Sequence, residues 1–279
     1  IREGRRFLDH SAMLIAQISD THIPLKGKKT YGIAPMAENL VQCIADINQQ
    51  NPKPDLVLVT GDITHSGQSE EFNHAAYLLN QIKTPFYVIP GNHDDRNLLR
   101  STFDKCSCPV EADKKIDYVI ENKELRLIAL DSTMLGKPGG EITKVQAKWL
   151  NEKLTEKPKQ PTLIFMHHPP VNCGVLETNA DGFIGKELLG DVVSSHDHIE
   201  KILCGHIHLP INTRWCGTVI STAPSLGMQL ALDLTLKRES EFFLEAPAYQ
   251  LHYWTQDKNL ITHTVVVKPV DGPYLFENL

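Results

Sequence analysis

Leu56-Val57-Leu58-Val59-Thr60-Gly61-Asp62 is the stretch on which the fold turns. Five apolar or β-branched residues in an unbroken run describe a strand buried on both faces, as in the middle of a parallel sheet. The Gly-Asp pair that ends the run is a turn that carries a carboxylate. The same pattern recurs in both directions. Leu14 to Ile18 leads through Ser19 to Asp20 and His22, and Pro85 to Ile89 leads to Gly91-Asn92-His93-Asp94. Leu163 to Met166 leads to His167-His168, and Ile199 to Cys204 leads to Gly205-His206-Ile207-His208. Each of these apolar runs ends in residue types that bind metals.

Between the runs lie helical patterns. Met36, Leu40, Ile44 and Ile47 recur at three to four residues, as do Phe72, Ala76 and Leu79, and Thr143 with Gln146 makes a capping box ahead of Trp149, Leu150 and Leu154. Strands alternating with helices predict an α/β protein, a layered sandwich. A short polar link at Asn122-Lys123-Glu124 between Tyr118-Ile120 and Leu125-Leu130 predicts an antiparallel hairpin, so the sheets are mixed. Beyond Gly205 strands are expected at Ile211 to Trp215, Thr218 to Ser221, Tyr249 to Trp254 and Ile261 to Val267. The stretch from Leu226 to Ala248, with Phe242 and Phe243 amid charges, reads as an excursion serving as a lid or an oligomer contact. The expected division is a leader over 1–12 outside the fold, a core over 13–224, a cap or oligomerisation segment over 225–256, and a strand and tail over 257–279 that return to the core.

A chain of 279 residues, 41% hydrophobic, suffices for one large α/β domain with a small appended lobe. No apolar run approaches the ~20 residues needed to cross a bilayer, so no membrane partner is expected. A net charge of −6 gives no basic surface for duplex nucleic acid. Six cysteines, irregularly spaced and without a C-x-x-C pair, predict a reducing cytoplasm with most thiols acting as small apolar groups, Cys106 and Cys108 being candidates to pair or react.

In an open α/β sheet the carboxyl ends of the strands share one edge, where ligands bind. Residues far apart in sequence are therefore expected to meet there. Carboxylate, imidazole and amide oxygen together suit Fe, Mn, Co or Zn better than Ca. Two imidazoles two residues apart on an extended segment, His206 and His208, face the same way.

The ordered set D-x-H, G-D, G-N-H-D, H and G-H-x-H resembles the calcineurin-like metallophosphoesterase superfamily over roughly Leu14 to Leu209. The resemblance implies a four-layer α/β/β/α sandwich and two divalent metal ions. One is held by Asp20, His22, Asp62 and His208, the second by Asp62, Asn92, His167 and His206, with Asp62 bridging. It further implies that His93 contacts the substrate phosphate or helps the leaving group. Two dications, two aspartates and a bridging hydroxide leave the site with about one positive charge, which attracts an anionic phosphodiester and stabilises an in-line displacement by a metal-bound hydroxide. Asp94 is expected either behind the histidines or as the cap of a helix starting near Asp95.

Within the superfamily, His65 stands where purple acid phosphatases carry a tyrosine, and Asp94 stands where the protein Ser/Thr phosphatases carry glutamate. Gly-Asn-His-Asp-Asp-Arg, His167-His168-Pro169-Pro170 and the tail Gly272-Pro273-Tyr274-Leu275-Phe276 look like the bacterial glycerophosphodiesterase and class III cyclic-nucleotide phosphodiesterase group. That likeness implies a small glycerophosphodiester as substrate, with a cyclic nucleotide as the alternative and a non-catalytic binding module as a distant third. It also implies a homo-oligomer formed through the segment beyond G-H-x-H. His65, Asn172, Cys173 and the excursion are the candidates for lining the substrate pocket.

Overall fold

The chain is described by a computed structural model covering residues 12–104, 107–109 and 115–276. It begins with β1 (Met13–Ile18), α1 (Met36–Gln49), β2 (Leu56–Thr60), α2 (Ser69–Leu79), β3 (Phe86–Ile89) and α3 (Arg96–Thr102). Next come β4 (Tyr118–Ile120), β5 (Arg126–Leu130), β6 (Thr133–Met134), β7 (Lys137–Glu141), α4 (Lys144–Glu156) and β8 (Thr162–Met166). After these follow α5 (Leu176–Asp181), β9 (Phe183–Ile184), α6 (Lys186–Ser194) and β10 (Ile199–Cys204). The C-terminal strands are β11 (Asn212–Trp215), β12 (Thr218–Thr222), β13 (Met228–Leu230), β14 (Phe242–Leu244), β15 (Ala248–Trp254) and β16 (Leu260–Val266).

Two mixed sheets carry the fold. The first runs β16-β15-β1-β2-β3 and the second β11-β12-β10-β8-β5-β4. Within them β1, β2 and β3 are mutually parallel, as are β5, β8, β10 and β12, while β15, β16, β11 and β4 add antiparallel edges. Side chains of the second sheet divide with a period of two. Leu127, Ala129, Leu163, Phe165 and Leu203 join the apolar cluster of the first sheet. Their neighbours Ile128, Leu130, Ile164, Met166 and Ile202 pack instead with Leu150, Leu154, Leu189 and Val193 of α4 and α6. That alternation makes the sheets face one another with helices outside, the expected layered sandwich. Each fully buried Leu, Ile or Phe contributes about 1.5–3 kcal/mol.

Helices form where the apolar spacing asks for them. α1 buries Met36, Leu40, Cys43, Ile44 and Ile47, and Thr143 with Gln146 closes the expected capping box on α4. The hairpin at Asn122–Glu124 pairs β4 with β5 antiparallel. The excursion after Leu226 contains the β13–β14 hairpin, whereas β15, which also falls within 225–256, lies beside β1 in the first sheet. Residues 1–11, Cys106 of the suggested Cys106–Cys108 pair and residues 277–279 lie outside the described residues. Among the described residues no helix is long and apolar enough to cross a membrane.

Candidate metal centre

The parallel strands deliver their carboxyl ends to one edge, and the chain turns there in an uncommon way. Asp20, His22, Asp62, His206 and His208 all adopt left-handed backbone, with φ of 52°, 40°, 48°, 70° and 57°. Such a conformation costs a non-glycine residue about 1–2 kcal/mol and persists only where the surroundings impose it. Here the loops after β1 and β2 are tied together, the Asp20 N–H donating to the Gly61 carbonyl at 3.1 Å and the His22 N–H to that of Asp62 at 2.8 Å. The His206 N–H donates to both carboxylate oxygens of Asp20 at 3.1 Å, which joins the first sheet to the second. Gly91 and Gly205 are needed for close approach, because a Cβ would run into the Asp62 carboxylate at the one and into Ser19 and Asp20 at the other.

Ligand atoms from Asp20, His22 and His208 lie within 4.8 Å of one another, as do those of Asp20, Asp62 and His167. Asp20 belongs to both groups, and Oδ2 of Asp62 in the second lies 3.6 Å from His22 Nε2 of the first and 3.4 Å from His167 Nε2 of its own. Oδ1 of Asp62 is occupied by the His93 N–H at 2.8 Å, which fixes the carboxylate plane. On one side His208 Nε2 approaches Asp20 Oδ1 at 3.3 Å and His22 Nε2 at 3.1 Å. On the other, His167 Nε2 meets Asn92 Oδ1 at 3.2 Å. The His206 ring lies 5.2 Å from that of His167, with its Nε2 3.6 Å from Asp181.

Backbone carbonyls set the tautomers, since a carbonyl only accepts. His167 Nδ1 donates to the Thr60 carbonyl at 2.8 Å, His208 Nδ1 to that of Met228 at 2.7 Å, and His93 Nδ1 to that of His65 at 2.7 Å. In the neutral form each ring is left with a lone pair on Nε2, the arrangement in which imidazoles bind metals. His168, although its ring nitrogen groups with those of His167 and His206, has no nitrogen to spare. Its Nε2 donates to the Pro138 carbonyl at 2.9 Å and its Nδ1 accepts from the Ser132 hydroxyl at 2.9 Å.

The electrostatics describe a site made for cations. Burial pushes the Asp62 carboxyl up, but His167, His22 and His93 hold it well below the ordinary carboxylate range. Asp20 likewise ends low, burial being outweighed by His208 and His167. Burial, reinforced by His208 and His93 and opposed by Asp62, pushes His22 down to about 3, so its imidazole is neutral. Against burial, Asp62 and Asp20 raise His167 to about 9, and Asp20 raises His208. Two buried carboxylates thus hold protons on imidazoles whose place a metal ion takes. The donor set fits two such ions; His22 differs from the other imidazoles in that its Nδ1 is buried without a partner.

Asp94 takes neither of the positions expected for it. Its carboxylate accepts from the Ile63 N–H at 3.0 Å, the Gly91 N–H at 2.9 Å, and the N–H and hydroxyl of Thr64 at 2.9 and 2.7 Å. It therefore ties the loop of Asn92 to the loop of Asp62. The cap of α3 is Asp95, which accepts from the N–H groups of Asn97 and Leu98. A run of two aspartates gave no means of telling the two apart.

A cavity of about 390 Å³ opens over the centre, and His22, Asp62, Asn92, His93, His206 and His208 reach it. The excursion supplies Met228, Leu230, Glu241 and Phe242 to its wall, and Tyr31, Glu177 and Asp181 line it without any sign in the sequence pattern. His65 sits behind Tyr31, ring to ring at 4.7 Å. Asn172 lines a second cavity of about 310 Å³ that shares His206 and Asp181 with the first, and Cys173 lines neither.

Residues 13–210 match the family model of calcineurin-like phosphoesterases. The chain belongs to that family. It is 39% identical over 267 residues, covering 95% of this chain and 97% of the relative, to a protein of Arcobacter nitrofigilis named as a probable glycerophosphodiester phosphodiesterase. A glycerophosphodiester phosphodiesterase of Enterobacter lignolyticus is 30% identical over 219 residues, 78% of this chain and 79% of that one. A cyclic-AMP phosphodiesterase of Escherichia coli is 28% identical over 216 residues, 77% of this chain and 76% of its own. Among solved structures, a dimetal phosphatase from Danio rerio superposes with a TM-score of 0.63 at 16% identity, covering 92% of this chain and 99% of that one, which is a likeness of fold.

Proposed function

We propose that the chain is a two-metal phosphodiesterase acting on small glycerophosphodiesters. The observation that carries the reading is that Asp62 Oδ2 lies 3.6 Å from Nε2 of His22 and 3.4 Å from Nε2 of His167, imidazoles that belong to two groups of buried donors sharing Asp20. In this reading Asp20, His22, Asp62 and His208 hold one divalent ion and Asp62, Asn92, His167 and His206 the other, drawn from Fe, Mn, Co and Zn. When bound, such a pair supplies Lewis acidity at phosphorus and an activated water. The residues do the rest. Asp62 fixes the spacing of the two groups and is itself aligned by the His93 N–H. His93, with Nδ1 committed to the His65 carbonyl, keeps Nε2 for the phosphoryl oxygen or the leaving alcohol.

The named activities of the Arcobacter and Enterobacter relatives favour the glycerophosphodiester over the cyclic nucleotide named for the Escherichia relative. The excursion supports a homo-oligomer, since Leu232, Leu234, Phe243 and Leu244 are exposed on it. Free, buried Cys43 and Cys204 support a reducing cytoplasm. The test is turnover of bis(p-nitrophenyl) phosphate, glycerophosphoethanolamine and cyclic AMP by protein loaded in turn with Mn, Co, Fe and Zn. Glycerophosphoethanolamine is expected to give the higher kcat/KM of the two natural diesters, and no hydrolysis with any of the metals refutes the proposal.

A further inference from the structure

A chain of buried polar side chains crosses between the two sheets and ends beside the metal centre. Gln17 of β1, Thr60 of β2 and His252 of β15 are fully buried, and Lys201 of β10 nearly so. Lys201 Nζ donates to the Thr262 hydroxyl of β16 at 2.7 Å, and that hydroxyl donates in turn to His252 Nδ1 at 2.9 Å. His252 Nε2 donates to Gln17 Oε1 at 3.0 Å. The Gln17 amide then donates twice, to the Thr60 hydroxyl at 2.9 Å and to the Cys204 carbonyl of β10 at 3.0 Å. The direction is fixed at both ends, since an ammonium only donates and a carbonyl only accepts. Burial, reinforced by Lys201, pushes His252 down to about 3, so the ring is neutral and carries the single N–H that this order requires.

A polar chain inside a core lowers stability unless each member is bonded; fully bonded, it permits one arrangement of the elements it joins. Here it joins two strand ends from which proposed ligands leave. Asp62 follows Thr60 by two residues, and His206 follows Cys204 by two. The Thr60 carbonyl also accepts from His167 Nδ1 at 2.8 Å, so one residue meets both Gln17 and a proposed ligand. We propose that Gln17 is a positioning residue for the metal centre: by donating to Thr60 and Cys204 together it sets the end of β2 against the end of β10, and with them the spacing between the ligands that the two sheets supply. The inference rests on the two-metal reading above. In that reading the first sheet supplies Asp20, His22, Asp62 and Asn92 and the second His167, His206 and His208, so both ions straddle the seam. The ion on Asp62, Asn92, His167 and His206 draws equally on the two sheets and depends on the seam most.

The test compares Gln17→Met with Gln250→Met in the full chain, methionine keeping the length and bulk of glutamine without its amide. Gln250 is the matched control. It is buried, stands opposite Gln17 in the β1–β15 register, and donates to a carbonyl of the second sheet, that of Thr222 at 3.1 Å, after which no proposed ligand follows. Both variants are expected to melt below the wild type. Gln17→Met is expected to weaken the more loosely held manganese ion about tenfold in calorimetric titration of the metal-free protein, the lower end of what loss of a supporting partner costs a metal site, and to alter the exchange-coupled manganese signal in electron paramagnetic resonance. Gln250→Met is expected to change neither reading. Wild-type affinity and coupling in Gln17→Met, or equal losses in the two variants, overturn the positioning role. Should Gln17→Met not fold, Thr60→Val decides, since it removes one of the two contacts at constant volume: a severalfold loss of affinity for that ion supports the role and an unchanged affinity overturns it. In each case two manganese ions bound by the wild type leave the two-metal reading standing. A wild type that binds fewer than two overturns both.

Discussion

Asp94 touches none of the proposed metal ligands through its side chain, yet Asp94→Ala is expected to disable the site. Its carboxylate gathers four donors, three of them backbone N–H groups on the loops that carry Asp62 and Asn92. Alanine leaves those N–H groups without acceptors in a place that water reaches poorly. At about 1–2 kcal/mol for each of the three unsatisfied groups, the loss sums to about 3–6 kcal/mol, a large share of the stability of a whole domain. For a protein of this size that corresponds to a fall in Tm of about 10 °C. The metal site suffers as well. Asp62 lies between Gly61 and Ile63, so a loop freed at Ile63 no longer holds in place the carboxylate proposed to bridge the two metals. Thermal unfolding and metal content of the purified variant, measured beside Asp94→Asn and Asp95→Ala, form the assay. Asparagine keeps one acceptor oxygen and should fall midway. Asp95→Ala removes only a helix cap, costs about 1 kcal/mol and leaves metal content intact. An Asp94→Ala protein that melts within two or three degrees of wild type, about 1 kcal/mol, and retains both metals would refute the reasoning.

Other outcomes follow from the same geometry. Asn92→Ala removes the amide oxygen 3.2 Å from His167 Nε2 and is expected to lower metal content from two ions toward one, read by elemental analysis, with a fall in kcat of about a hundredfold. His93→Ala should slow diesters of poor leaving groups, such as glycerol, by about a hundredfold and p-nitrophenyl diesters far less, because a good leaving group needs no proton; equal losses on both contradict a role in leaving-group protonation. Burial pushes Asp117 up to about 6, against an ordinary value of 3.8, despite its bonds from the Asp131 N–H and Gln146. A raised folded value means that the protonated form is favoured by folding. The stability it contributes is present below pH 4 and is lost as pH rises to about 6, so Asp117→Asn is expected to flatten that part of the denaturation midpoint-versus-pH curve and to be the more stable protein at pH 8.

The strands and the proposed ligands were legible because each is a local pattern. An apolar run reads as a buried strand without reference to its neighbours, and the turn residue after it is adjacent in sequence. Parallel packing then brings Asp20, Asp62, Asn92, His167 and His206 together by topology alone. What escaped was set by tertiary contact. α5 is a six-residue helix without a side-chain cap, so nothing local announces that Glu177 and Asp181 line the cavity. Tyr31 lies in a loop whose place is fixed by Thr30 donating to the His22 carbonyl, a contact that no periodicity encodes. The distinction between Asp94 and Asp95 likewise depends on which loop lies beneath.

The neighbour of β1 on its outer side is β15, Met13 opposite Trp254 and Gln17 opposite Gln250. A ribosome therefore delivers the strand that leads to Asp20 and His22 long before the segment that completes its hydrogen bonding. Until that segment has been synthesised, the edge is open to wrong pairing. Maturation is thus expected to await synthesis of β15, with metal captured once residues 248–254 have joined the sheet rather than before.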